Sequence, residues 1–413
     1  MKREEQLLTD LLTSFIHNRK LSEKTKNTLQ EMGRDSWDRL FYLAQIHTVS
    51  GICYVVLKQT EGCSEERLKV FQSQYRLAVT CDIQRENEMK VLDETLEQAG
   101  IQHIFFKGWE LRKYYPIPAL RMMSDVDFLI HKEDAKRADA ALKKAGFHCT
   151  SESADVYVYE KYSLILEMHL CLGRTLGDGK NREYDTWFQA AFEESEFLQE
   201  NTEGYFKPEY HMTLLVYHIA KHLSSSGAGV RMFMDVAVYY KRMQGKICEK
   251  RLWDMLDRLR LTEIAKLIFW LCRSWFDVEI EGAQQPTPEL YDWFAEYVFT
   301  GGIYGHQKRT LADIYTRKGV QGNRKESDFH KKLRAYRRYF FPTVHDMEGA
   351  FPILKKYPLL LPAAWIIRAG RGAVCRGRQS ARVISQIGTH MEQAENEYEM
   401  LKKLRFFRMK LPT

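Results

Sequence analysis

The stretch FFKGWELRKYYPIPALRMMSDVDFLI (105–130) decides the fold of this 413-residue chain. The apolar run IQHIFF (101–106) predicts a strand that ends at Lys107 and Gly108, and the WELRKYY that follows predicts a helix. After a loop with two prolines, MSDVDFLIH (123–131) alternates between apolar and polar residues and predicts a second strand. A strand, a helix and another strand in this order indicate a compact α/β unit.

The flanking segments extend this unit. Residues 132–147 predict an amphipathic helix, and VYVYEKYSLILEMHL (156–170) predicts two more strands in a hairpin. The first 97 residues and the chain from Pro208 onward place apolar residues at helical intervals. The expected fold class is therefore α+β, with a small mixed β-sheet core between helical flanks. We expect four domains. An N-terminal helical segment covers 1–97 and the α/β core covers 98–205. A helical domain that closes the cleft covers 206–302, and a basic helical region covers 303–413.

The composition excludes disordered and fibrous proteins, since 45% of the residues are hydrophobic and 28% are charged. The beginning of the chain, MKREEQLLTDLL, lacks the apolar region of a signal peptide. The longest apolar stretch (357–367) is too short to cross a bilayer. The eight cysteines form no CxxC pair. We therefore expect a cytoplasmic protein with reduced thiols and no transmembrane segment, which at most touches a membrane surface.

Charge is distributed unevenly along the chain, whose net charge is +7. Residues 304–413 contain 23 lysines and arginines against 9 acidic residues, whereas the first 303 residues are acidic overall. A basic region beside an acidic body suggests a polyanionic partner, such as RNA or the phosphate chain of a nucleotide. The alternative is that the basic segment packs on the acidic body of its own chain.

The run FHKKLRAYRRYFFP (329–342) in this basic region combines aromatic and basic side chains. Such a run could stack on single-stranded RNA and neutralise its phosphates. Its periodicity also fits an amphipathic helix, which we favour, with Leu333, Tyr336 and Phe340 facing inward and the basic residues outward.

Asp125 and Asp127 lie two positions apart in the second predicted strand, so both carboxylates leave the same face of the sheet. Like charges this close raise each other's pKa, and a divalent cation would remove the repulsion. Glu167, in the predicted strand LILEMHL, shares its side with His169 and is the best candidate for a third ligand. Three carboxylates form an oxygen site that suits Mg²⁺ or Mn²⁺, and two such ions could promote phosphoryl transfer.

Several neighbouring groups are candidates for binding a nucleotide. Gly108 permits close approach of the backbone, and the amides at the start of the next helix can hold an anion beside Lys107. Arg121, four residues before Asp125, could supply a further cation for a triphosphate. Ser124, next to Asp125, is also a candidate for binding the nucleotide.

Histidines supply further candidates. His169 could contact a phosphate or hydrogen-bond to a carboxylate that holds a metal ion. His218 and His222 lie four residues apart on one helix face, which is the spacing of a zinc-binding pair. Ile219 stands where a metallopeptidase would need a glutamate, so we favour core or interface histidines and rank a zinc hydrolase last.

The stretch 105–130 resembles the nucleotidyltransferase superfamily that includes DNA polymerase β and the antibiotic nucleotidyltransferases. It is most similar to the bacterial family of uncharacterised nucleotidyltransferases. EMHL (167–170) matches the strand with an acidic residue and a histidine that follows in that family. The helical segments 214–240 and 336–371 are also similar to family segments, so the resemblance covers most of the chain.

The resemblance implies a nucleotidyltransferase core in which Asp125, Asp127 and Glu167 hold the metal ions. An NTP would bind through its triphosphate near Lys107 and Gly108. A hydroxyl acceptor would attack the α-phosphorus, a nucleoside monophosphate would be transferred and pyrophosphate would leave. The acceptor could be a small molecule, a protein hydroxyl or the 3′ end of an RNA.

Further site residues follow from the family-like segment 214–240. His218, Arg231 and Asp235 could line the nucleotide or acceptor cleft, whereas a surface salt bridge is the alternative for Arg231 and Asp235. The superfamily usually has Gly-Ser where this chain has Gly-Trp109. That departure supports the alternative function, a catalytically impaired regulatory protein with the same fold that binds nucleotides or RNA.

Overall fold

The computed structural model describes residues 1–61, 63–173, 182–198, 201–224, 227–302, 311–320, 327–347, 350–351 and 353–404. The chain divides into two compact units, a larger one within Met1–Gly305 and a smaller one within His306–Arg405. None of the helices in the described ranges has the length and apolar character that crossing a membrane requires.

The larger unit is built around a mixed sheet of seven strands. The strands β1 to β7 are His103–Phe106, Val126–Ile130, His148–Glu152, Val156–Lys161, Leu164–His169, Ser195–Phe197 and Glu203–Phe206. Their order across the sheet is β3-β4-β5-β2-β1-β7-β6. The pairs β2–β5 and β1–β7 are parallel, and the other neighbours are antiparallel. The predicted α+β class with a mixed sheet and helical flanks is confirmed.

Thirteen helices of the described part accompany this sheet. Helices α1 to α5, which come before β1, are Arg3–His17, Glu23–Gln30, Arg34–Ile46, Ser50–Lys58 and Glu65–Gln98. Helices α6 to α13 are Gly108–Arg112, Ala135–Lys144, Arg182–Gln189, Pro208–Ser224, Val230–Met243, Glu249–Arg258, Thr262–Phe276 and Pro288–Gly301. Short 3₁₀ helices cover Pro118–Leu120 and Lys132–Asp134.

The main core of the sheet lies on one of its two faces. Leu92 and Leu96 of α5 and Leu142 of α7 pack there against Phe128 of β2 and Leu166 of β5. Because side chains alternate along a strand, the residues between these apolar positions emerge on the opposite face. Burial of the apolar side chains on one face of the sheet therefore places the intervening side chains on the other face.

The smaller unit is helical in its described part. Its helices α14 to α19 are Leu311–Val320, Asp328–Phe340, Val344–Met347, Ile353–Lys356, Leu361–Gln386 and Met391–Lys403, with a 3₁₀ helix at Pro358–Leu360. One small core joins α14, α15 and α18 through Ala312, Ala335 and Val383. A second joins Met347 and Leu354 to Ala364.

The predicted inward face of α15 is wrong at two of three positions. Tyr336 packs against the small core, but Leu333 and Phe340 are 54% and 45% exposed. The reason is the close approach of α14, where a Cβ added at Gly319 would lie 2.7 Å from the Cβ of Ala335. Small residues thus set the contacting face of α15, and the large apolar residues lie beside it.

Candidate active site

Three strands of the sheet bring the acidic candidates together. Asp127 on β2 lies beside Phe106 on β1 and beside Glu167 on β5. His169 follows two positions after Glu167 and therefore shares its face. Asp127, Glu167 and His169 each offer a ligand atom within 4.8 Å of the others, so this cluster could hold a metal ion.

The apolar neighbours explain why these side chains point away from the core. Val126 and Phe128 flank Asp127, Leu166 and Met168 flank Glu167, and all four apolar residues are fully buried in the main core. A shift of one residue in either strand would bury the acids and expose the apolar set. The same alternation that buries the apolar residues therefore places the acidic side chains together on the opposite face.

Asp125 lies just before β2, so it sits outside the regular strand that the sequence predicted for it. The Ser124 hydroxyl donates to Asp125 Oδ1 at 2.8 Å. Burial and the charge of Asp127 raise the pKa of Asp125, and the charge of Glu167 adds to this shift. Asp125 therefore belongs to the same electrostatic neighbourhood as the cluster.

Lys107 reaches the cluster from an unusual backbone conformation. Its φ is +54° with ψ of −125°, a combination that non-glycine residues adopt at a cost. Its Nζ donates to Asp127 Oδ1 at 2.5 Å. Strain of this kind is typical of functional positions, because the surrounding structure must hold it in place.

The cluster is electrostatically coupled. Burial alone would raise the pKa of Asp127, but the charge of Lys107 and the hydrogen bond from His169 hold it well below its ordinary value. His169 Nε2 lies 2.9 Å from Asp127 Oδ1 and 3.3 Å from Glu167 Oε2. Burial opposes protonation of His169, yet these two hydrogen bonds raise its pKa. Asp127 is thus held in its charged form, and it lies within hydrogen-bonding distance of both Lys107 and His169.

Helix α9 places two more histidines near this face. The rings of His218 and His222 are 4.5 Å apart. Burial, with the charges of Lys221 and Lys107, lowers the pKa of His222 to about 4. Burial and the charge of Lys107 also hold the pKa of His218 well below its ordinary value. Both histidines are therefore neutral neighbours of the Lys107–Asp127 pair.

Arg121 is paired with an acidic side chain inside the fold. It is buried and makes a two-point contact with Asp235, from Nε to Oδ1 at 3.1 Å and from Nη2 to Oδ2 at 2.6 Å. The Tyr115 hydroxyl donates to the same Oδ1 at 2.7 Å. Arg231, four residues before Asp235, instead donates to the Thr48 hydroxyl. The alternative of an Arg231–Asp235 surface salt bridge is wrong, since both side chains are buried with other partners.

Gly108 begins α6, a helix of only five residues. A Cβ added at Gly108 would lie 2.9 Å from Arg121 Nη1 and 3.3 Å from the Met123 side chain. The absent side chain thus makes room for the Arg121 guanidinium. The contribution of the α6 amides to anion binding stays a prediction, and so short a helix adds little dipole.

We expect Gly108→Ala to lower the free energy of unfolding by about 1–3 kcal/mol, because the methyl group must displace the buried Arg121 guanidinium. Urea unfolding of the full chain, followed by tryptophan fluorescence, measures the change. Gly33→Ala is the control, since nothing lies within 4 Å of its added methyl group and its expected effect is under about 1 kcal/mol. A Gly108→Ala variant of normal stability that no longer binds NTP would show that the glycine serves ligand approach instead.

The structure therefore brings together Lys107, Asp127, Glu167 and His169, with Asp125 beside them. The Tyr115 contact to Asp235 was missed from the sequence, and no spacing signals it because the two residues are far apart in the chain. The two-residue spacing between Glu167 and His169 indicated that His169 lies in the cluster. The sequence predicted for His169 only a hydrogen bond to a carboxylate that holds a metal ion, or a contact with a phosphate.

Comparison with known protein families finds a match for this chain. A family model described as an uncharacterised nucleotidyltransferase matches residues 34–277, which is more than half of the chain. The match includes the cluster, Lys107, helix α9 and Asp235, and it confirms the resemblance of the stretch 105–130 to the family of uncharacterised nucleotidyltransferases. No curated protein and no solved structure matches the chain. The chain belongs to the family of uncharacterised nucleotidyltransferases.

Proposed function

We propose that the protein is a Mg²⁺-dependent nucleotidyltransferase, which transfers a nucleoside monophosphate from an NTP to a hydroxyl acceptor and releases pyrophosphate. The observation that carries this proposal is the Asp127–Glu167–His169 cluster beside Asp125, within the part of the chain that matches the family. Acidic clusters on a sheet face are suited to divalent cations that carry phosphate groups.

The chemistry of the donor set fits such a cation. Asp125, Asp127 and Glu167 offer carboxylate oxygens, the ligands that Mg²⁺ and Mn²⁺ prefer, and the imidazole of His169 also suits Mn²⁺. The Lys107 ammonium, 2.5 Å from Asp127 Oδ1, lies where a positive charge is needed to balance that carboxylate. The cation would supply charge neutralisation on the phosphates and orient the reacting groups.

The side chains of this chain divide the remaining tasks. His169 holds the carboxylate of Asp127 in a fixed orientation through its hydrogen bond. Glu167, with a third of its side chain exposed, is the carboxylate best placed to accept a proton from the attacking hydroxyl or to position it. Lys107 would exchange its contact with Asp127 for one with the triphosphate. We infer that the nucleotide lies between this sheet face and α9, near His218.

The roles of Arg121, Arg231 and Asp235 in nucleotide binding are proposed only as indirect ones. Arg121 and Asp235 are occupied by each other, and the charge of Asp125 also acts on Arg121. These contacts support a positioning role, in which α10 holds the loop that carries Ser124 and Asp125.

Trp109 favours the second candidate function, a regulatory protein that binds nucleotides without turnover. Its side chain packs against the main core, with the Arg112 guanidinium 4.6 Å from the ring centre. It therefore offers no hydroxyl to a phosphate, unlike the serine that the superfamily usually has. The carboxylate cluster favours the enzyme over this alternative.

The proposal is tested by labelling with each of the four NTPs, carrying ³²P in either the α or the γ position, in the presence of Mg²⁺ and total RNA or cell extract. We expect label to move from the α position only, because the γ-phosphate leaves with pyrophosphate. Chelation of the metal should stop the transfer.

The size of the labelled product would identify the acceptor as a small molecule, a protein or an RNA. Transfer of the γ label would contradict nucleotidyl transfer. NTP binding without movement of any label, across all acceptors, would favour the regulatory protein.

A further inference from the structure

One segment of the smaller unit combines positive charge with a complete absence of acidic residues. From 349 to 391 the sequence has no aspartate or glutamate and seven basic residues. The basic residues are Lys355, Lys356, Arg368, Arg371, Arg376, Arg378 and Arg382. The first four flank the 3₁₀ helix Pro358–Leu360 and the first turns of α18. This part of the sequence therefore carries a net positive charge.

Large apolar side chains are exposed at the same place. We call Tyr357, Leu359, Leu360, Ile366 and Ile367 the apolar patch. Leu359 is 94% exposed and Ile366 is 74% exposed, while the other three are between 43% and 50% exposed. Pro362 and Ala363, also exposed, lie between them and make the apolar surface continuous along α18. Exposed apolar side chains grouped in this way mark an interaction surface.

The patch rests on a well-packed base, so its exposure is a property of the folded unit. The Trp365 indole NH donates to the Pro342 carbonyl oxygen at 2.8 Å, and its ring lies 5.1 Å from that of Phe341. Ala364, between Ala363 and Trp365, is buried in the second small core. One side of α18 is therefore fixed inward, and the patch is the opposite side.

Basic side chains form a rim around the patch. The Lys356 Nζ lies 5.5 Å from the ring centre of Tyr357, and Arg368 donates to the Tyr339 carbonyl oxygen at 2.8 Å. Arg371 lies over Phe351, 6.0 Å from the ring centre. Within the described part of the chain, none of these three cations contacts a carboxylate. Their charges are available to an external anion.

We propose that the apolar patch and its basic rim dock on the surface of an anionic lipid bilayer. Leu359 and Ile366 would enter the boundary between headgroups and acyl chains, and Tyr357 suits the same depth. Lys356 and Arg371 would extend to the lipid phosphates, since long basic side chains keep their charge at the interface. This inference goes beyond the proposed activity and does not depend on it.

Two other occupants fit the surface less well. A second copy of the chain, related by a twofold axis through the patch, would bring the basic rims together and repel. RNA would use the basic residues, but Tyr357 is the one aromatic member of the apolar patch, and its four aliphatic members offer no face on which bases stack. The combination of exposed aliphatic side chains with cations that contact no carboxylate among the described residues matches an anionic bilayer.

The test is sedimentation of the full chain with vesicles of phosphatidylcholine alone or mixed with phosphatidylglycerol. We expect binding to the mixed vesicles, weaker binding to the neutral ones, and a loss of affinity as salt is added. Leu359→Ser/Ile366→Ser should weaken binding by at least about tenfold, and Arg371→Gln by about fivefold. Because all three positions are exposed, circular dichroism and the unfolding midpoint should match the wild type.

Phe329→Ser/Leu333→Ser is the matched control, since these apolar side chains of α15 are exposed to a similar extent but lie outside the patch. Its vesicle binding should equal that of the wild type. Absence of binding to mixed vesicles, or an equal loss in the control, would overturn the proposal. So would binding to poly(U) in preference to vesicles, or a change from dimer to monomer in the patch variant.

Discussion

Asp127→Asn should lower nucleotidyl transfer by about 10³-fold, because the substituted side chain keeps its shape but loses the charge that the cluster is built around. Asp127 Oδ1 accepts hydrogen bonds from Lys107 and His169, and an amide oxygen does not balance the charge of Lys107. The loss should appear in kcat, since charge stabilisation matters most in the transition state. The measurement is the rate of transfer from α-³²P NTP under saturating conditions.

Two further variants separate this role from stability. Glu167→Gln should reduce transfer by a similar factor while the protein folds normally, because the Glu167 side chain is one-third exposed. Glu160→Gln is the control, since Glu160 is an exposed carboxylate on the neighbouring strand β4. Calorimetric titration with Mn²⁺ should show weaker binding in the Asp127 and Glu167 variants only. Full turnover by a folded Asp127→Asn protein would exclude the proposed mechanism.

The strands that form the site could be predicted from the sequence because they alternate. β2 and β5 bury Val126, Phe128 and Leu166 on one side, so the positions of Asp127 and Glu167 on the other side follow from parity. Strand β3 has no such pattern, since four of its five residues are exposed. Strand β3 forms because β4 offers it a partner strand. Strands β6 and β7 are too short to show an alternation of apolar and polar residues.

The contacts of the basic site residues could not be predicted, for two physical reasons. Lys107 reaches Asp127 because its φ is positive, a backbone state that no propensity assigns to lysine. Arg121 meets Asp235 across 114 positions of the chain, which requires knowing where α10 packs. Sequence spacing pointed instead to Arg231 as the partner of Asp235 and to a phosphate as the partner of Arg121.

The Arg121–Asp235 pair predicts the largest effect on stability. We expect Asp235→Ala to lower the free energy of unfolding by about 3–5 kcal/mol, because it leaves a buried guanidinium without a counter-charge. Tyr115 would lose its acceptor in the same variant. The measurement is the urea midpoint at constant m-value. Arg19→Ala is the matched control, since Arg19 and Asp277 also pair at 2.8 Å but are more than half exposed, so its effect should stay below about 1 kcal/mol.

Arg121 variants then distinguish a buried structural pair from a phosphate-binding cation. Arg121→Met/Asp235→Leu should recover most of the lost stability, because it removes both charges together and fills the space with apolar atoms. Arg121→Lys should stay destabilised, since an ammonium cannot reproduce the two-point contact with Asp235. If Arg121 instead bound the triphosphate, Arg121→Met alone would raise the KM for NTP and leave the unfolding midpoint unchanged. If Arg121 and Asp235 are a buried structural pair, Arg121→Met should instead lower the unfolding midpoint at every NTP concentration. Any loss of activity would then follow from displacement of the Ser124–Asp125 loop.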